Sequence, residues 1–140
     1  MKITLTRDAF QTMVDHARQQ FPLEACGLIA GGLEGDLKAV TRAVPLKNVH
    51  QSRERFAVDP REQLLAIKAL REEGLTPLGN YHSHPETPAR PSGEDLSLYR
   101  DPKASYLILS LAERQPVLKS FGLADREGQT VSVEEELVIM

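Results

Sequence analysis

The 140-residue chain contains one cysteine, Cys26. A lone thiol excludes an intrachain disulfide and any zinc knuckle built from several cysteines. Net charge is scarce as well. At −3 the chain carries no overall field that would hold nucleic acid or an anionic membrane, and neither is expected as a partner. No apolar run approaches the ~20 residues that cross a bilayer. The opening MKITLTRDAF runs into charge at Arg7 and Asp8, without the apolar core of a signal peptide. Repeats, low-complexity segments and interdomain linkers are missing too. What remains is a cytoplasmic chain that folds as one domain, 1–140, and hides about two-thirds of its unfolded surface.

The patterning that is present alternates helix and strand. Lys2–Leu5 reads as a short strand, after which Thr6 can cap a helix. Phe10, Met13, Val14 and Ala17 recur there at i, i+3, i+4 and i+7, and Pro22 prevents continuation. Residues 25–30 form a short apolar run that leads through Gly31-Gly32 into a hairpin, with Leu37–Leu46 returning. Residues 48–55 are polar and read as loop. Asp59-Pro60-Arg61-Glu62 then opens a second helix with a capping side chain and a proline in the first turn. Leu64, Leu65, Ile67 and Leu70 are expected to form its buried face, with Gly74 near its end. Residues 76–82 form a strand candidate, and three prolines between 84 and 91 exclude regular structure there. A short helix over 92–99 and strands over 104–111, 117–123 and 130–138 complete the chain. This order predicts a single α/β layered sandwich with a mixed central sheet.

The stretch richest in chemistry is Tyr81-His82-Ser83-His84-Pro85, followed by Ser92-Gly93-Glu94-Asp95. Residues two apart on a strand share a face, so His82 and His84 can aim their rings at one point. Paired neutral imidazoles with a carboxylate suit a borderline-soft divalent cation. Three protein ligands leave one position to water, whose pKa then falls towards ~7. Asp95 is the best placed carboxylate, because Ser92-x-x-Asp95 has capping-box spacing. Glu86 and Glu94 compete with it. Glu86 follows a proline and faces solvent, and Glu94 points about 100° away around the same helix. The plain alternatives are a helix cap without a ligand and two histidines on an ordinary strand face. Pro85, Pro88 and Pro91 stiffen the connection and lower the entropy lost in bringing His and Asp together.

These residues resemble a known family. Glu24, then His82-Ser83-His84, seven residues, Ser92, two residues and Asp95 match the JAMM (MPN-plus) metalloprotease motif without gap or substitution. Glu24-Ala25-Cys26-Gly27-Leu28-Ile29 resembles the segment around that family's glutamate. Asn48, with Arg55-Phe56-Ala57-Val58-Asp59-Pro60, resembles its short bacterial branch. The resemblance implies a cytidine-deaminase-like α/β fold and a zinc ion held by His82, His84 and Asp95. It makes Glu24 the base that takes a proton from the attacking water and passes it to the leaving amine. Ser92 becomes a hydrogen-bond donor to the developing oxyanion or to zinc-bound water. It further implies hydrolysis beside the C-terminal Gly-Gly of a ubiquitin-like, ThiS-like sulfur-carrier protein, whose extended tail can add beside a sheet edge. The oligomeric state is left open, a homodimer included.

Competing readings meet specific obstacles. A deaminase needs a later Pro-Cys-x-x-Cys, and the chain has one cysteine. The RadC-type branch reads His-Asn-His-Pro-Ser-Gly, which differs here at the second and fifth positions. A non-haem iron enzyme shares the two-His-one-carboxylate set but has no use for Glu24. A metal-free scaffold of the same family is expected to have lost a ligand or the glutamate, and this chain keeps them all. Cys26 reads as a small buried strand residue rather than a nucleophile. Asn48, Tyr81 and Thr87 are secondary candidates for positioning the substrate.

Overall fold

A computed structural model describes residues 1–140. In chain order the elements are β1 (Lys2–Leu5), α1 (Arg7–Gln20), β2 (Cys26–Glu34), β3 (Leu37–Leu46) and α2 (Pro60–Glu72). They continue with β4 (Thr76–His84), α3 (Gly93–Leu98), β5 (Ser105–Ser110), β6 (Val117–Arg126) and β7 (Gln129–Ile139). The strands neighbour one another in the order β1-β3-β2-β4-β5-β6-β7, and β7 returns to β1, closing the sheet. Pairing is mixed. β1 runs parallel to β3 and β7, and β4 runs parallel to β5, whereas the other contacts are antiparallel.

The expected mixed α/β sheet is therefore present, with a closure that local patterns do not announce.

The strand period divides the core between two helices. On β2, Ile29 joins Met13, Val14 and Ala17 of α1 in the main cluster, whereas Leu28 and Ala30 face Leu70 of α2. Thr6 caps α1 by accepting from the Ala9 N–H at 3.2 Å, and Asp59 caps α2 by accepting from the Arg61 N–H at 2.9 Å. Both caps satisfy donors that a helix start leaves orphaned.

The expected buried face of α2 holds only in part. Leu70 is buried and Ile67 half-buried, but Leu64 and Leu65 are 67% and 58% exposed. The helix meets the sheet through Ala66, Ile67 and Leu70, which share one side at 100° per residue. Leu64 and Leu65 lie around the helix from that side and face outward.

Two interior details bear on the site. A side chain at Gly27 would collide with the Val44 carbonyl and the Tyr81 ring, so a missing Cβ lets Tyr81 lie across β2. Tyr81 is fully buried and its hydroxyl bonds His16 Nδ1 at 2.8 Å. It therefore locks the start of the histidine pair rather than reaching a substrate. Ser110 Oγ donates to the Thr87 carbonyl at 2.6 Å, and Ala89 packs on Ile108 and Phe121. The proline-rich connection is pinned to β5 in this way, with Thr87 contributing backbone.

Candidate metal centre

His82 and His84 close strand β4, and their rings turn to the same side, as alternation requires. Asp95 is the third residue of α3, and both capping bonds are present. The Asp95 N–H donates to Ser92 Oγ at 3.0 Å, and the Ser92 N–H donates to Asp95 Oδ2 at 2.9 Å. The same carboxylate faces the histidines, with Oδ1 3.2 Å from His82 Nε2 and Oδ2 3.0 Å from His84 Nε2. The two Nε2 atoms are 3.2 Å apart. Cap and candidate ligand are thus one residue, and the two readings of Ser92-x-x-Asp95 are compatible.

All three side chains are buried, and their ligand atoms lie within 4.8 Å of one another. Two buried imidazoles and a carboxylate converging so closely fit a divalent cation better than any arrangement among themselves, because each Nε2 has a single position to fill. Burial disfavours charge on Asp95, yet hydrogen bonds from both imidazoles and the Ser92 N–H hold its carboxyl well below the usual range. His82 is pushed down by burial, the form in which an imidazole binds metal. On His84 burial acts the same way, but Asp95 and the Pro88 carbonyl prevail and raise it.

Glu24 arrives by strand register. Cys26 stands opposite His82, and Ala25 pairs with Ser83 through two bonds, Ser83 N–H to the Ala25 carbonyl at 2.9 Å and Ala25 N–H to Ser83 Oγ at 2.8 Å. One step further, Glu24 comes close enough for the charges of His84 and Asp95 to act on it. Its carboxyl is buried, and Oε1 has no hydrogen-bond partner. Burial pushes this group up to about 8, with His84 drawing it down and Asp95, Glu54 and Glu94 pushing it up. A cation held by the neighbouring trio would stabilise the ionised form. Ser92 is exposed at the rim. Its oxygen accepts from Asp95, so its own proton is free to donate outward.

Glu86 and Glu94, the competing carboxylates, are turned outward into exposed ion pairs with Arg53 and Arg55 at 3.9 and 4.0 Å. Such pairs are worth at most ~1 kcal/mol. Three contributors carried little signal. Ser83 ties Glu24's neighbour to the histidine strand, and only its place between the two histidines marks it. Asn48 is buried and fully bonded, to His50, Arg55 and Ala57 of the 48–57 loop and to the Glu24 carbonyl. Phe56 stacks on His82 with ring centroids 4.6 Å apart.

Cys26 is fully buried and its Sγ approaches the Leu46 carbonyl at 3.9 Å. Burial first, then the charges of Glu62 and Glu24, push its thiol up to about 12. The unfolded thiol ionises near 8.5, so the unfolded chain loses its proton first. Cys26 therefore lowers stability as pH rises from about 8.5 towards 12, and its contribution is intact below that window. Iodoacetamide at pH 8.5 is expected to label native protein at least about 100-fold more slowly than denatured protein. Comparable rates, read by mass spectrometry, would contradict the burial.

Two imidazoles and a carboxylate around one point, beside a buried glutamate, are the arrangement of a JAMM-type hydrolase. Residues 6–123 match the family described as prokaryotic homologs of the JAB domain, and the chain belongs to that family. It is 33% identical over 124 residues to the CysO-cysteine peptidase of Mycobacterium tuberculosis, covering 88% of this chain and 84% of that one. It is 35% identical over 114 residues to the desampylase of Haloferax volcanii, covering 78% and 81%. The solution structure of a Desulfitobacterium hafniense protein superposes with a TM-score of 0.86 at 51% identity, covering 99% of this chain and 92% of that one.

Proposed function

We propose that the protein is a zinc-dependent peptidase and isopeptidase. Its substrate is a ubiquitin-like, ThiS-like sulfur-carrier protein in the cytoplasm, cut at the amide bond after the carrier's C-terminal Gly-Gly. One observation carries the proposal. The two Nε2 atoms are 3.2 Å apart, close to the ~3.3 Å between corners of a tetrahedron with zinc–ligand bonds of about 2.0–2.1 Å, and Asp95 turns one carboxylate oxygen to each imidazole, at 3.2 and 3.0 Å. His82, His84 and Asp95 would hold the ion. When bound, zinc supplies a Lewis acid that polarises the scissile carbonyl and acidifies water.

The chain's own residues do the rest. Glu24 takes the proton of the attacking water on its buried carboxylate and delivers it to the leaving amine nitrogen. Its desolvation places it where a weak base and a weak acid are both useful near neutral pH. Ser92 directs its free hydroxyl proton at the oxygen that gains charge as water adds. The Ser92–Asp95 cap fixes both residues on α3, so oxyanion donor and ligand keep a constant relation. Loop 48–57 and α3 face each other across the site, joined by the exposed Arg55–Glu94 pair. A tail with two glycines is slim enough to pass beneath it.

The names of the two relatives support this reading, since one cleaves a CysO–cysteine bond and the other is a desampylase. The test is cleavage of a ThiS-like carrier extended past Gly-Gly, followed by intact-mass spectrometry. The expected product ends at Gly-Gly, chelator treatment abolishes cleavage and zinc restores it. Iron content with oxygen-dependent turnover, or an uncut carrier with zinc-loaded protein, would overturn the proposal.

A further inference from the structure

The two candidate histidine ligands are secured differently. His84 Nδ1 lies 2.8 Å from the Pro88 carbonyl, the outer bond that normally fixes a metal-binding imidazole. His82 Nδ1 is buried and has no partner at all. Its ring is nonetheless fully buried, and one face is covered by Phe56 with ring planes 23° apart. Phe56 comes from the 48–57 loop, which has no helix or strand to stiffen it.

The stiffness comes from Asn48. Its Nδ2 donates to the Glu24 carbonyl and the Arg55 carbonyl, both at 3.0 Å, and its Oδ1 accepts from His50 N–H at 3.0 Å and Ala57 N–H at 3.1 Å. Both donors and both lone pairs of the amide are in use. Two of these bonds end on the residues flanking Phe56. A third ends on Glu24, whose N–H also donates to the Ser52 carbonyl at 2.7 Å. The loop therefore grips the backbone of Glu24 on both sides and lays an aromatic face on His82.

We propose that Phe56 is a positioning residue that fixes the ring plane of His82 by stacking, in place of the hydrogen bond His82 lacks, with Asn48 holding Phe56 in register. The inference rests on His82 being a metal ligand, as proposed above, but not on the identity of the substrate. A flat ring is required, so size alone does not substitute.

The test uses metal ions alone. Zinc affinity is measured by chelator competition, and cobalt is bound to read ligand geometry from its visible absorption. Phe56→Ala is expected to weaken zinc about 10- to 100-fold and to alter the cobalt band. Phe56→Tyr is expected to stay within about threefold of the parent protein, and Phe56→Leu to fall with Phe56→Ala. Phe56 is only half-buried, so these variants retain the fold. In the Asn48→Ala/Phe56→Ala double variant the loss should be no larger than in Phe56→Ala alone, because Asn48 acts through Phe56. Parent-like affinity and cobalt spectrum in Phe56→Ala, a parent-like Phe56→Leu, or additive losses would overturn the proposal. An inactive protein with normal metal binding would instead overturn the carrier assignment and leave this one standing.

Discussion

Replacing Glu24 with glutamine is expected to lower cleavage by about 10²- to 10⁴-fold while leaving zinc affinity within about threefold of the parent. The two halves of this result have separate causes. Glutamine matches glutamate in size, so the packing around a side chain only 3% exposed is undisturbed. The three atoms that converge on the metal position belong to His82, His84 and Asp95, and Glu24 contributes none of them. An amide, however, cannot accept the proton that the attacking water must lose or return it to the amine. Single-turnover cleavage with parallel metal analysis separates the effects. Activity within tenfold of the parent would remove Glu24 as the base, and loss of zinc would make it a ligand.

Asp95→Asn is expected to weaken zinc binding by at least about 100-fold, a larger effect than removing an outer-shell partner. The carboxylate faces both imidazoles and supplies the only negative charge in the trio. Asparagine removes that charge yet keeps an oxygen able to accept from the Ser92 N–H, so the α3 cap survives. Melting temperature without metal should therefore fall by less than a lost cap, ~1 kcal/mol, would cause. Asp95→Ala forfeits ligand and cap together, and its additional destabilisation measures the cap. Parent-like chelator competition in Asp95→Asn would move the ligand role to another carboxylate, with Glu94 the nearest in sequence.

The site was far more legible in the sequence than the way the barrel closes. His82 and His84 announce themselves because strand alternation is local, and Asp95 because a cap has fixed spacing. The helices were readable for the same reason, through Thr6 and Asp59. Closure depends on β1 pairing with both β3 and β7, contacts between distant residues that leave no periodic trace. The α2 face departs from its apolar pattern because leucines outweigh alanine in any such pattern, while the sheet accepts Ala66 and leaves Leu64 and Leu65 outside. Lys38 is buried, and nothing in its neighbours marks it as such. Its ammonium donates to the Lys103 carbonyl at 2.6 Å and to Ser105 Oγ at 2.7 Å. Phe56 belonged to a recognisable stretch, but stacking is a tertiary event and nothing in its neighbours foretells it.

The stretch shared with the family, residues 6–123, contains neither β1 nor β7. Those two strands pair with each other, and the Met140 N–H donates to the Leu5 carbonyl at 2.8 Å. The seam of the cylinder is thus sewn from outside the common portion. Trimmed to that portion, the polypeptide would present β3 and β6 as bare, sticky margins, inviting neighbouring molecules to zip onto them. The peripheral strands act as a clasp over those margins.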